Sequence, residues 1–173
     1  MAIEKAAYTV LMKEKDFEIR EYGPMIVAVS RETDFQGNTG FGKLFAYISG
    51  KNDGNQKIEM TAPVLNGLDP ENLTIAFVMP KEYSPGMLPQ PKDPEVQLVE
   101  IPGRQVAAIR FAGNMNQEKI DEKKAELLKW LEEKKITSKG IVELARYNPP
   151  FVPGFIKHNE LLIEIDIDAS REI

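Results

Sequence analysis

Residues 37–44, GNTGFGKL, come nearest to a motif with chemistry of its own. Gly37, Gly42 and Lys43 satisfy all but the last position of G-x-x-x-x-G-K-[ST], in which a glycine-rich backbone cradles phosphate and the lysine reaches it. Leu44 fails that position, because it has no hydroxyl for magnesium. The spacing of Phe41, Leu44, Phe45 and Ile48 instead turns Leu44 onto the apolar face of a short helix. A nucleotide site is not expected. His158 is the only histidine and there is no cysteine, so two-histidine metal sites, thiolate nucleophiles, disulfides and cysteine-held zinc or iron–sulfur centres are excluded. In FIKHNELL that histidine stands just before a strand-like run, where an exposed side chain is the plain expectation. Glu18, Glu21, Glu59, Glu143 and Glu164 lie on strand-like segments. A carboxylate in a cleft can serve as general base, but strand alternation turns most such residues to solvent. No catalytic residue is assigned, and hydrolysis by Glu59 or Glu143 stands only as an alternative.

The elements that must hold these groups follow from periodicity. YTVLM, FEIREY and MIVAVSRE read as strands, the second alternating Phe17 and Ile19 with Glu18 and Arg20. A helix is expected over about residues 37–49, stopped by GKNDG. KIEMTAPVL and LTIAFVM then read as two strands, the first carrying a proline that cannot donate a ladder hydrogen bond. Between Pro80 and Pro94, three further prolines (Pro85, Pro89 and Pro91) forbid a helix or central strand, so a long connection is expected. The pattern then repeats. VQLVEI and QVAAIRFA are strands, and residues 116–135 form the clearest helix, with Asn116 as N-cap and Ile120, Leu127, Leu128 and Leu131 as its apolar stripe. IVELARYN and LLIEIDI complete the second half. Both halves, about residues 8–80 and 95–168, read strand, strand, helix, strand, strand, an α+β class built on antiparallel sheet with two flanking helices.

Composition narrows the function classes. The 173 residues suit one domain with a full core. A net charge of −5 argues against phosphate-backbone recognition, which needs a concentrated basic face. No apolar run reaches membrane-spanning length, and the N-terminal residues lack the pattern of a signal peptide, so a cytoplasmic location is expected. One segment stands out as apolar without being a regular element. RYNPPFVPGFIKHNE places three prolines with Phe151 and Phe155, a rigid loop that either folds over the core or walls a groove.

Three blocks, FEIREYGP, GFGKLFAYISGKND leading into KIEMTAPV, and RYNPPFVPGFIKHNE, together resemble the SOUL family of haem-binding proteins in order and spacing. The resemblance covers residues 8–166 and implies a distorted antiparallel β-barrel built from two βαββ-like halves with two helices outside. It implies a carrier, buffer or delivery protein that binds haem or free porphyrin. With no cysteine, the C-x-x-C-H attachment is absent and binding would be noncovalent. Carried over position by position, Lys43 and Tyr47 lie one turn apart on the first helix, Lys43 to pair with a propionate. Met60, Ala62 and Val64, with Phe151 and Phe155 of the late loop, would contact the macrocycle, beside Lys157 and His158. Family members with a histidine directly before the tyrosine of the FEIREYGP block imply an axial ligand there. This chain has Glu21, so an axial ligand would have to be another group such as His158, Tyr47 or a methionine. A small-molecule sensor of the AraC-effector type for another apolar ligand is the alternative binding function.

Overall fold

The computed structural model describes residues 3–34, 37–148 and 153–166, apart from the side chain of Phe155. In chain order the elements are β1 (Glu4–Lys5), β2 (Tyr8–Glu14), β3 (Phe17–Tyr22), β4 (Met25–Arg31), α1 (Thr39–Ile48), β5 (Thr61–Ala62), β6 (Val64–Asp69), β7 (Asn72–Val78), β8 (Gln97–Ile101), β9 (Arg104–Phe111), α2 (Gln117–Lys134), β10 (Thr137–Arg146), a 3-10 turn (Gly154–Ile156) and β11 (Asn159–Asp166). They group into two compact units, residues 1–6 with 24–102 and residues 7–23 with 103–173.

In the first unit, β6, β7, β4 and β8 pair antiparallel in that order, and β1 pairs with β5 in parallel. Register sets Ala28 opposite both Phe77 and Leu98, and Val64 opposite Phe77, so these side chains share one face. That face packs on Leu44, Tyr47 and Ile48 of α1. The helix therefore buries a different stripe from the one its periodicity suggested. Phe45 is exposed, stacked on Phe41, and Tyr47 takes its place inside. The proline-rich connection is seated on the same core through Leu88 and Val96.

KIEMTAPVL is not one strand. Residues 57–60 are irregular, and Pro63 stands between β5 and β6, where no ladder donor is required of it.

In the second unit the antiparallel order is β2, β3, β9, β11, β10. Phe17 faces Ile109, which faces Leu161, which faces Leu144, so one face is apolar. It packs on Ile120, Leu127, Trp130 and Leu131 of α2, with Phe17 stacked on Trp130 at 4.9 Å. Leu128, expected in that stripe, is exposed, and Trp130 is buried instead. Asn116 caps the helix as its sequence predicts, accepting the Lys119 N–H at 2.8 Å.

The α+β class and both helices agree with expectation. Neither unit's strand order closes into a barrel. Among the described residues no helix is long and apolar enough to cross a membrane.

Candidate functional site

The first group of expected site residues lies around α1. The helix N-terminus that resembled a phosphate cradle is already occupied by this chain's own carboxylate. Glu32, buried at the end of β4, accepts the Gly40 N–H at 3.0 Å and the Phe41 N–H at 3.2 Å. A Cβ on Gly40 would lie 2.6 Å from the Arg31 carbonyl oxygen, so glycine is needed there for close approach to β4. Gly40 thus serves packing, and the Gly40 and Phe41 amides that a phosphate would use are taken.

Lys43 forms a hydrogen-bonded ion pair with Glu95, which raises its ammonium pKa. Tyr47 is buried, and its hydroxyl donates to the Pro89 carbonyl at 2.7 Å. Burial pushes this phenol up to about 12. Asn52, fully buried, donates to the Tyr47 and Gln56 carbonyls and accepts the Gln56 N–H, tying the segment after α1 to the helix end. Met60 and Val64 are half-buried against the core that contains Tyr47, and Ala62 is buried. The five residues therefore belong to one packed unit, but only Lys43 offers a charged head near solvent.

The second group lies on the face of the β2–β3–β9–β11–β10 sheet opposite α2. Pairing Glu18 with Ala108, Arg20 with Val106, Leu162 with Ala108 and Leu162 with Glu143 puts Glu18, Arg20, Glu143 and Glu160 on that face. The Arg20 guanidinium is fully buried and donates to both oxygens of the equally buried Glu160, at 2.7 and 2.6 Å. It also donates to Tyr22 at 3.1 Å and to Glu18 at 3.2 Å, and lies 4.1 Å from the centre of the Tyr8 ring. Burial disfavours charge on both partners, but the bidentate bond prevails. Arg20 stays protonated, while Glu160 is held at about 2 by Arg20 and, after it, by His158. Glu143, kept as a candidate base, is bound by Arg104 at 2.6 Å, and Glu59, the other candidate, is solvent-exposed.

His158 joins this cluster instead of standing exposed. Its Nε2 is 2.9 Å from Oε2 of Glu160, and its ring stacks on Tyr147 at 4.2 Å with 8° between planes. The Tyr147 N–H donates to the His158 carbonyl, and Asn148 Oδ1 accepts the His158 N–H. The Tyr147 hydroxyl feels the nearby Glu160 charge but makes no hydrogen bond of good geometry among the described residues. Burial, followed by Glu160, pushes that phenol well up. Lys157 precedes His158 in extended backbone after the 3-10 turn. Phe151 and the Phe155 side chain lie outside the described residues.

Sequence reasoning passed over Arg20 and Glu160. The available signal was a charge of each sign, Arg20 and Glu160, in strands FEIREY and NELLIEI that also carry Glu18, Glu21 and Glu164, though nothing local pairs them. Among the described residues no group of three or more His, Asp or Glu side chains is placed to hold a bare metal ion.

A family model described as SOUL heme-binding protein matches residues 3–164. Heme-binding protein 2 of Homo sapiens is 33% identical over 170 residues, covering 90% of this chain and 81% of that protein. Heme-binding protein 2 of Mus musculus is 32% identical over 147 residues, covering 78% and 71% respectively. The crystal structure of the EcmrR C-terminal domain matches with a TM-score of 0.64 at 12% identity, covering 92% of this chain and 98% of that one. At that identity the likeness is one of fold.

Proposed function

This chain belongs to the SOUL family of heme-binding proteins, and on that premise we propose that it binds haem or free porphyrin noncovalently as a soluble, cytoplasmic carrier, buffer or delivery protein. The observation that carries the reading is the family match across residues 3–164. The barrel closure implied by the resemblance belongs to the same proposal.

The residues fit such a ligand in kind. Lys43 is a half-exposed cation whose partner, Glu95, is a solvent-exposed carboxylate, and exposed pairs of this sort contribute little to stability. A propionate can therefore replace Glu95 with small loss. Met60 and Val64 offer half-buried apolar surface, while Tyr47 and Ala62 act from inside the core as its support. His158 supplies an imidazole, the usual protein donor to haem iron. Bound haem would supply an electrophilic iron and two carboxylates. In the first unit Lys43 would pair with its charges, and the apolar surface of Met60 and Val64 would shield it from water.

The test is a visible-spectrum titration of the protein with haemin, run beside iron-free protoporphyrin. Saturable one-to-one binding of both, weakened several-fold by Lys43→Ala, is expected. Unsaturable uptake no better than that of an unrelated protein of similar charge would end the reading.

A further inference from the structure

Residues 84–87, SPGM, form a tight turn in the proline-rich connection of the first unit, and the turn brings a hydroxyl onto a thioether. Pro85 has its φ fixed by the ring, Gly86 takes a φ of 88°, and the Met87 N–H donates to the Ser84 carbonyl at 3.0 Å, as in a type II turn. Both flanks are anchored. Tyr83 packs on the core around α1, Leu88 is buried in that core, and the Pro89 carbonyl accepts the Tyr47 hydroxyl. Held in this frame, the Ser84 hydroxyl donates to Met87 Sδ at 2.8 Å. Met87 is 59% exposed. Among the described methionines it alone is exposed; Met12, Met25, Met60 and Met115 are half-buried, and Met79 is buried.

We propose that Met87 is a reversible oxidation site that takes one oxygen atom from hydrogen peroxide, and that Ser84 selects which sulfoxide epimer forms. The sulfur lone pair attacks one peroxide oxygen, forming an S–O bond as the O–O bond breaks. Sulfur gives up two electrons. The second oxygen leaves as hydroxide and takes the proton of the transferred oxygen, so the products are a sulfoxide and water. The reaction needs an exposed, polarisable sulfur, and Met87 supplies the most accessible one among the described residues. The two lone pairs of a thioether lead to the two epimers. Ser84 occupies one of them with its hydrogen bond, so peroxide meets the other. The new polar group stands in solvent while Tyr83 and Leu88 keep the turn in place, whereas the same change at Met79 would put a sulfoxide into the core. The fold therefore tolerates oxidation at Met87, and a sulfoxide reductase can reverse it.

The test uses ligand-free protein, so its outcome is separate from the tetrapyrrole reading. Wild type and Ser84→Ala are treated with dilute hydrogen peroxide, sampled over time, digested, and each methionine peptide is followed by mass spectrometry. In wild type Met87 should be oxidised several-fold faster than Met12, Met25, Met60, Met79 and Met115. The released Met87 sulfoxide peptide is then divided between the two stereospecific sulfoxide reductases, each of which reduces one epimer. One enzyme should reduce several-fold more of the wild-type peptide than the other, and the two amounts should converge for Ser84→Ala. Oxidation of Met87 no faster than that of the half-buried methionines would overturn the site. Equal epimers in wild type, or the same excess in Ser84→Ala, would overturn the role of Ser84.

Discussion

Glu160 and Arg20 neutralise each other in a place that water does not reach, and their energetics are asymmetric. Forming such a pair gains little over an apolar pair of the same shape, but removing one partner strands the other charge. Arg20→Met should therefore lower the unfolding free energy by about 3–5 kcal/mol. Adding Glu160→Leu to it should recover much of that loss, as measured by urea denaturation of the two variants. The same pair sets an acid dependence. The Glu160 carboxyl falls from an ordinary 4.5 to about 2 in the fold, so the unfolded chain binds the proton more readily. Its stabilising contribution is complete above about pH 4.5 and is lost as pH falls toward about 2. Glu160→Gln should flatten that part of a stability profile measured from pH 6 downward, from a lower baseline; an unchanged slope would place the acid sensitivity elsewhere. Charge types at these positions were legible in the sequence, but their partnership was not. Arg20 and Glu160 are separated by 140 positions and meet only through the β3–β9–β11 register.

At the scale of elements, α1 is held at both ends by groups outside it. Glu32 satisfies its first amides, and Tyr47 and Asn52 anchor its last turn to the proline-rich connection and to Gln56. Tyr47→Phe removes one hydrogen bond and strands the Pro89 carbonyl, so a loss of about 0.5–1.5 kcal/mol is expected in thermal or urea unfolding. The second helix is capped from its own sequence. Asn116→Ala should cost about 1 kcal/mol, and Asn116→Gly only a few tenths. The contrast explains what periodicity could see. Helix existence and the Asn116 cap depend on residues within one turn, and both were readable. Which stripe faces inward depends on the partner sheet, so Phe45 and Leu128 were misplaced and Tyr47 was not expected inside.

For the whole molecule, the net charge of −5 opposes the approach of a dianionic porphyrin. Raising ionic strength from about 10 mM to about 150 mM shortens the Debye length from about 30 Å to about 8 Å and should speed porphyrin association on the order of twofold. Stopped-flow rates at the two salt concentrations check this, and slower association at the higher salt would mean that a local cation such as Lys43 dominates the encounter. The sequence alone determined the α+β class, nearly all of the strands, both helices and the family. It could do so because alternation, caps and turn residues act over a few positions and the family blocks are contiguous. Tertiary structure alone decided that Gly40 seats the first helix against β4 with Glu32 on its amides, and that Pro63 divides two strands. It also showed His158 locked between Tyr147 and Glu160. Each of these depends on strand register and long-range burial, which bring together groups that no local pattern connects.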